Sequence, residues 1–177
     1  LRILGMINWR IGNTYECRKY LNRARQCYED PVDLARVDVY EGYTYYRIGD
    51  TEIGHKSLAL LSTLDGTEEP GQYAPPVRSF PLLEQAREVF EQYEQTDDLS
   101  WTYNVLSRAS RRDGNLKRAE TYARNALNVS QNPQRRAEAN LSLCALYYRR
   151  GLQKLEEGDV EAALGEFVGE DATPKGR

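Results

Sequence analysis

The chain has 177 residues, 40% of them hydrophobic and 29% charged, with a formal net charge of −3. That composition suits one domain or one run of repeats with a buried core, and it excludes long disorder. So small a charge does not by itself call for nucleic acid or a membrane surface.

Basic character rests mostly on arginine, 19 Arg against 5 Lys. Arginine grips carboxylates bidentately and stacks on rings, so its placement matters more than its number. Three cysteines do not make a disulfide framework, and Cys17 and Cys27, ten helical residues apart, are separated by roughly 15 Å. A reducing, cytoplasmic setting is the expectation. No apolar run reaches the roughly 18 residues of a membrane span, and no signal-peptide pattern opens the chain. Leu1 already lies inside a helical pattern and the only methionine is Met6, which reads as a piece of a longer protein.

In the opening helix, Leu4-Gly5 lies one helical face above the turn Gly12-Asn13. Cys17, Leu21 and Ala24 then follow at spacings of four and three, the buried stripe of a second helix. The second unit repeats this with Gly42, the turn Gly49-Asp50, and the stripe Gly54, Leu58 and Leu61. Asp65 to Phe80 reads DGTEEPGQYAPPVRSF, and its three prolines and two glycines predict extended chain where a first helix is due. Sixteen extended residues reach roughly 50 Å against about 21 Å for a 14-residue helix, long enough to run back along the missing helix. Pro81 to Gln95 then predicts a second helix standing alone, with Leu83, Ala86, Phe90 and Tyr93 on one face.

The third unit is the clearest: Leu106-Ser107, the turn Gly114-Asn115, then Ala119, Ala123 and Ala126. Asn132-Pro133 caps a helix running to about Glu157, with an expected stripe of Ala137, Leu141, Cys144, Tyr148, Leu152 and Leu155. Gly158-Asp159, Ala163 and Phe167 close the last unit, and 168–177 reads as a disordered tail. Gly12 and Gly49 are 37 residues apart, as are Gly114 and Gly151, the mark of a repeat architecture.

These phased small residues and turn glycines resemble the tetratricopeptide repeat family, best in LS…GNLKRAETYARNAL…NP from Leu106 to Pro133. The resemblance implies an all-α, right-handed solenoid of about nine helices. It divides the chain into repeats over 1–64, an extended loop over 65–80, a lone second helix over 81–96, and repeats over 99–167 with a long helix near 134–157.

Catalysis is hard to assemble from this chain. One histidine, His55, has no second ligand or triad partner, and no Cys-x-x-Cys or phosphate-cradling glycine motif is present. No catalytic, metal or cofactor residue is assigned. The resemblance places first-helix residues before each turn along a concave groove: Arg2, Trp9, Arg10, Tyr43, Tyr46, Arg47, Asn104, Arg108, Arg111, Arg112, Tyr148 and Arg149, with Arg36 and Trp101 at the rim. Such a surface suits an extended peptide carrying carboxylates or apolar side chains. The competing explanation is that arginines near helix C-termini stabilise the helix dipole. Met6 stands where the family's two-carboxylate clamp needs Asn, so that clamp is not expected. Nearby acids and the overall charge argue against nucleic acid. Two functions remain: a protein-interaction or peptide-binding adaptor, or a ligand-sensing regulatory part of a larger signalling ATPase or transcriptional regulator, with effector domains attached outside this segment.

Overall fold

The computed structural model describes residues 1–48 and 75–168, without the side chains of 47–48 and 75–78. Among the described residues there are eight α-helices and no strand: α1 (Arg2–Arg10), α2 (Thr14–Cys27), α3 (Pro31–Ile48), α4 (Pro75–Gln92), α5 (Thr96–Arg112), α6 (Leu116–Val129), α7 (Pro133–Glu156) and α8 (Val160–Val168). The chain is all-α over that span. No helix there is long and apolar enough to cross a membrane.

Local sequence sets the helix ends. Gly12, Gly114 and Gly158 sit at φ of +82°, +80° and +83°, where a side chain would be strained. The next residue caps the following helix. Asn13 Oδ1 accepts from Glu16 N at 3.2 Å, Asn115 Oδ1 from Arg118 N at 3.0 Å, and Asp159 Oδ1 from Ala162 N at 2.9 Å. Asn132 caps α7 by accepting from Gln134 N at 2.9 Å, with Pro133 in its first turn.

The helices pack as four pairs, α1–α2, α3–α4, α5–α6 and α7–α8, and each pair also meets the next. A small residue of each first helix meets its partner. A Cβ on Gly5 would lie 2.9 Å from Leu21 Cδ2, and one on Gly42 would lie 3.0 Å from Leu83 Cγ. Ser107 Oγ donates to Ala119 O at 2.7 Å, and Gly151 faces the Phe167 ring. Opposite them the second helices carry one buried stripe: Cys17, Leu21 and Ala24 on α2, Ser79, Leu83 and Ala86 on α4, Ala119, Ala123 and Ala126 on α6. Burying Leu21, Leu83, Phe90, Leu106 and Leu146 completely stabilises the fold by about 1.5–3 kcal/mol each relative to exposure.

Two expectations change. Helix α4 begins at Pro75, not Pro81, and Pro81 lies inside it. Residues 75–80 are therefore helical rather than extended, since Pro75 and Pro76 occupy the first turn, where a missing N–H costs no helix bond. Nor does α4 stand alone. It is the partner of α3, with Ser79, Leu83 and Ala86 in the places of Cys17, Leu21 and Ala24. The second helix expected around Gly54, Leu58 and Leu61, and with it a ninth helix, lies outside the described residues, as do 65–74 and 169–177.

The other change concerns α7. Its buried residues are Ala139, Ser142, Leu143, Leu146 and Gly151, while Ala137, Leu141, Cys144, Tyr148, Leu152 and Leu155 are exposed. The phase of Gly151 against Phe167 decides which face turns inward, and the stripe of larger apolar residues falls on another face. Helix α4 shows a smaller version: Leu83, Ala86 and Phe90 are buried as expected, and Tyr93 is exposed.

Candidate functional site

The faces of α1, α3, α5 and α7 that adjoin one another carry most of the arginines and rings singled out in the sequence. Helix α1 meets α3, α3 meets α5, and α5 meets α7. A chain of rings crosses the first three. Trp9 lies 4.8 Å from Tyr43 and 6.1 Å from Tyr40, centroid to centroid, and Tyr43 lies 5.6 Å from Tyr46. Trp101 stands 4.6 Å from Tyr40 and 6.5 Å from Tyr43. Each such pair adds about 0.5–1.5 kcal/mol beyond its burial, so the ring row is also a stable floor.

Two adjoining hollows open along α3, α5 and α7. One, of about 290 Å³, is lined by Tyr43, Tyr46, Arg108, Arg111, Leu141, Ser142 and Ala145. The other, of about 450 Å³, is lined by Tyr46, Arg111, Arg112, Ala145, Tyr148, Arg149 and Leu152. Among the described residues, four guanidinium groups line the pair and no carboxylate does. Arg108 Nη1 donates to Tyr43 Oη at 2.6 Å, and its guanidinium stands 6.0 Å from that ring's centre. Arg112 Nη1 donates to the Tyr46 carbonyl oxygen and stacks on the Tyr46 ring at 5.5 Å. Arg149 Nη1 donates to the Arg111 carbonyl oxygen at 3.3 Å. Beneath the wall, Asn104 is buried. Its Oδ1 accepts from Ser142 Oγ at 3.4 Å, and its Nδ2 has no hydrogen-bond partner among the described residues.

No described carboxylate pairs with Arg108, Arg111 or Arg149. Elsewhere arginines are matched: Arg25 with Asp38 at 2.5 Å and Glu41 at 2.7 Å, Arg87 with Glu84 at 2.7 Å and Glu91 at 2.6 Å, Arg150 with Glu120 at 2.6 Å. These pairs show in the titrating groups. Burial alone would raise the Glu120 carboxyl, but hydrogen bonds from Arg124 and Arg150 outweigh it and hold it below its ordinary value. Burial, with Glu91 accepting its hydroxyl hydrogen, pushes Tyr103 up to about 12.

A third hollow, of about 340 Å³, lies toward α1 and is lined by Arg2, Ile3, Met6, Arg36, Tyr40, Asp98, Trp101 and Arg135. Its cations are neutralised. Arg2 reaches Asp33 at 3.4 Å, Arg36 reaches Asp98 at 2.8 Å and Asp33 at 3.0 Å, and Arg135 reaches Glu138 at 3.0 Å. Arg135 also stacks over Trp101 at 5.6 Å. Burial raises the Tyr40 hydroxyl above its ordinary value, against the opposing field of Arg135, Arg2 and Arg10.

The structure thus gathers Tyr43, Tyr46, Arg108, Arg111, Arg112, Tyr148 and Arg149 around the first two hollows, and Arg2, Arg36 and Trp101 around the third. Trp9 packs in the ring floor. Arg10 is exposed and lines none of these hollows, and the Arg47 side chain lies outside the described residues. Tyr43 is only 7% exposed and Asn104 1%, so both form the wall and floor more than the open surface. Leu141, Ser142, Ala145 and Leu152 were missed as site residues. For Leu141, Ala145 and Leu152 the signal was present in the sequence, since they lie off the face fixed by Gly151, whereas Ser142 is buried with that face. Among the described residues no three His, Cys, Asp or Glu side chains come together to hold a metal ion.

Comparison with protein-family models, curated protein sequences and solved structures finds no match for this chain.

Proposed function

We propose that the chain is a non-catalytic peptide-binding module, a right-handed solenoid of tetratricopeptide-like repeats that holds an extended acidic segment of another protein across α3, α5 and α7. Repeats of this kind present their first helices on one concave side, and the pairing of α1 with α2 through α7 with α8 supports that arrangement. One observation carries the functional reading: Arg108, Arg111 and Arg149 converge with Tyr46 and Tyr148 on two hollows that no carboxylate lines among the described residues. Guanidinium groups crowded without acids repel one another and remain hydrated, and an incoming carboxylate relieves both conditions. The exposed Leu141 and Leu152 give the same surface a place for apolar side chains.

The two ends of this face differ in charge. Around Trp101 the arginines are already held by Asp33, Asp98 and Glu138, so that hollow favours an apolar side chain. The proposed ligand is acidic where it crosses α5 and α7 and apolar toward α1.

The test is fluorescence anisotropy with a labelled extended peptide of alternating Glu and Leu, against its Gln-Leu analogue. The Glu peptide should bind and weaken as salt is raised. Arg108→Gln with Arg111→Gln should weaken it by roughly tenfold or more, the size expected for losing charge-assisted hydrogen bonds. Equal binding of the Gln peptide, or no change in the double variant, rejects the reading.

A further inference from the structure

The donors of the smaller hollow come from two helices and approach it from different directions. Arg108 and Arg111, three residues apart on one face of α5, both line it, and so does Tyr43 of α3. Arg108 Nη1 donates to Tyr43 Oη at 2.6 Å. The Tyr43 hydroxyl is the acceptor in that bond, so its own hydrogen remains to be donated, and no described group accepts it. Its position is fixed. The residue is buried, and its ring packs 4.8 Å from Trp9 and 5.6 Å from Tyr46.

The neighbouring polar groups are already engaged. Ser142 Oγ donates to the Glu138 carbonyl oxygen at 3.1 Å and to Asn104 Oδ1 at 3.4 Å. Arg112 is held on the Tyr46 carbonyl oxygen and ring. The Arg111 side chain, in contrast, makes no hydrogen bond or ion pair among the described residues, and it lines both hollows. Arg149 of α7 stands across the second hollow from it and spends one N–H on the Arg111 carbonyl oxygen at 3.3 Å. The unspent donors are therefore the Arg111 fork, the rest of Arg108 and Arg149, and the Tyr43 hydroxyl.

That set is larger than one carboxylate can use. A carboxylate is planar, carries a single charge, and is met in full by one guanidinium fork. A phosphomonoester carries about −1.5 to −2 charge near neutral pH and presents three acceptor oxygens around a tetrahedral centre. Those oxygens can be reached at once from Arg108, Arg111 and the Tyr43 hydroxyl, with Arg149 adding its charge from the far side. A phosphodiester, with one charge and two free oxygens, meets the set no better than a carboxylate. The exposed Leu141 and Ala145 line the same hollow and offer contact to the aliphatic stem or backbone beside the phosphate.

Resting on the reading of the α3–α5–α7 face as a peptide groove, we infer that the smaller hollow is the seat of a phosphorylated side chain in the bound peptide. Arg108, Arg111 and the Tyr43 hydroxyl hold the phosphate. The groove thus responds to phosphorylation of its partner, binding the modified segment in preference to one that carries only Glu.

Fluorescence anisotropy with three labelled peptides tests this at constant ionic strength and about pH 7.5, where the phosphate is mostly a dianion. They are the alternating Glu-Leu peptide, the same peptide with its central Glu replaced by phosphoserine, and the same with unmodified serine there. The phosphoserine peptide should bind roughly tenfold or more tighter than the Glu peptide, and the serine peptide weakest. Tyr43→Phe keeps the ring and removes the hydroxyl. Circular dichroism should show it folded, and the phosphoserine-to-Glu affinity ratio should fall by roughly tenfold. The parent's ratio decides alone if that variant unfolds. A parent ratio near one with the Glu peptide bound overturns the inference and leaves the peptide-groove reading standing. Failure of both peptides to bind overturns both. A ratio unchanged in Tyr43→Phe removes the hydroxyl from the seat and overturns the assignment. Displacement of the labelled phosphopeptide by inorganic phosphate as readily as by unlabelled phosphopeptide would mark a site for free anions and overturn it too.

Discussion

The pairing of α3 with α4 positions Tyr43 and Tyr46 over α5, and Gly42 is where it can be broken. Replacing Gly42 with Ala places a Cβ 3.0 Å from Leu83 Cγ, 3.2 Å from Leu83 Cδ2 and 3.2 Å from the Ser79 carbonyl oxygen. Leu83 is fully buried and the carbonyl belongs to backbone, so neither yields without moving α4. Overpacking of this kind costs about 1–3 kcal/mol. Ala in place of Gly within a helix returns about 0.8–1 kcal/mol. The balance is a loss of up to about 2 kcal/mol, or up to roughly 8 °C in melting temperature for a chain of this length. Gly151→Ala is the control. Its Cβ meets the Phe167 ring, with Cζ at 2.6 Å, a closer approach on paper. Phe167 is 41% exposed near the end of α8 and can rotate away, so that variant should stay within about 1 kcal/mol of the parent. Thermal melts followed by circular dichroism decide the order. If Gly42→Ala melts at or above the parent, only helix propensity is being read, and α4 does not press on α3 at Leu83.

Two other measurements probe the junctions and the core. The Glu120 carboxyl is held below its ordinary value, so its contribution is complete above the unfolded-state value near about 4.3 and disappears as pH falls through the lower folded value. Glu120→Gln should therefore lower the unfolding free energy measured by urea titration at pH 7 by about 1–2 kcal/mol, and the gap should close toward about pH 3; a gap independent of pH would show that Arg150 and Arg124 do not hold the charge. Burial pushes the Cys17 thiol up, against the opposing Thr44 hydrogen bond, whereas Cys27 and Cys144 are exposed. A thiol reagent should modify two cysteines in the folded chain and the third only in denaturant, and rapid modification of all three would contradict the burial of the α2 stripe.

How far the sequence could be read depended on whether a feature was local. The turn glycines Gly12, Gly114 and Gly158, the caps Asn13, Asn115 and Asp159, and the stripes of α2 and α6 are set within a few residues, and each stands where spacing predicts. The partner of α3 is not a local matter. Gly54, Leu58 and Leu61 follow Gly49 with the right period, and Ser79, Leu83 and Ala86 carry the same period later, so periodicity alone cannot rank them. Packing shows that Leu83 meets Gly42, whereas Gly54, Leu58 and Leu61 lie outside the described residues. The inward face of α7 failed for a related reason. Leu141, Tyr148, Leu152 and Leu155 outweigh Ala139 and Ser142 in any hydrophobic pattern, yet the small residues are needed where helices approach closely. Large apolar residues left over by that constraint became the wall of the hollows. The site arginines were legible as residues, but that Arg108, Arg111 and Arg149 meet no described carboxylate was not, because Asp33, Asp98 and Glu120 are brought to their partners by tertiary packing.

The rival account of these arginines, that they simply stabilise helix C-termini, can be weighed against the helix ends. Arg111 and Arg112 do occupy the last turn of α5 and benefit from its dipole. Arg108 lies a turn earlier, and its guanidinium is engaged by the Tyr43 hydroxyl. Arg149 is further removed, since α7 continues to Glu156 and the basic residue of its last turn is Lys154. The dipole's influence is confined to about one turn. It therefore explains two of the four guanidinium groups and leaves Arg108 and Arg149 to be explained by what they face. What they face is shared: Tyr43, Tyr46 and Tyr148 on the same two hollows, with no acid among the described lining residues. In a chain of net charge −3, where Arg25, Arg36, Arg87, Arg118 and Arg150 each find a carboxylate, Arg108, Arg111 and Arg149 meet none among the described residues, and crowding them costs stability through mutual repulsion. A negatively charged ligand recovers that cost, which helix-end stabilisation does not.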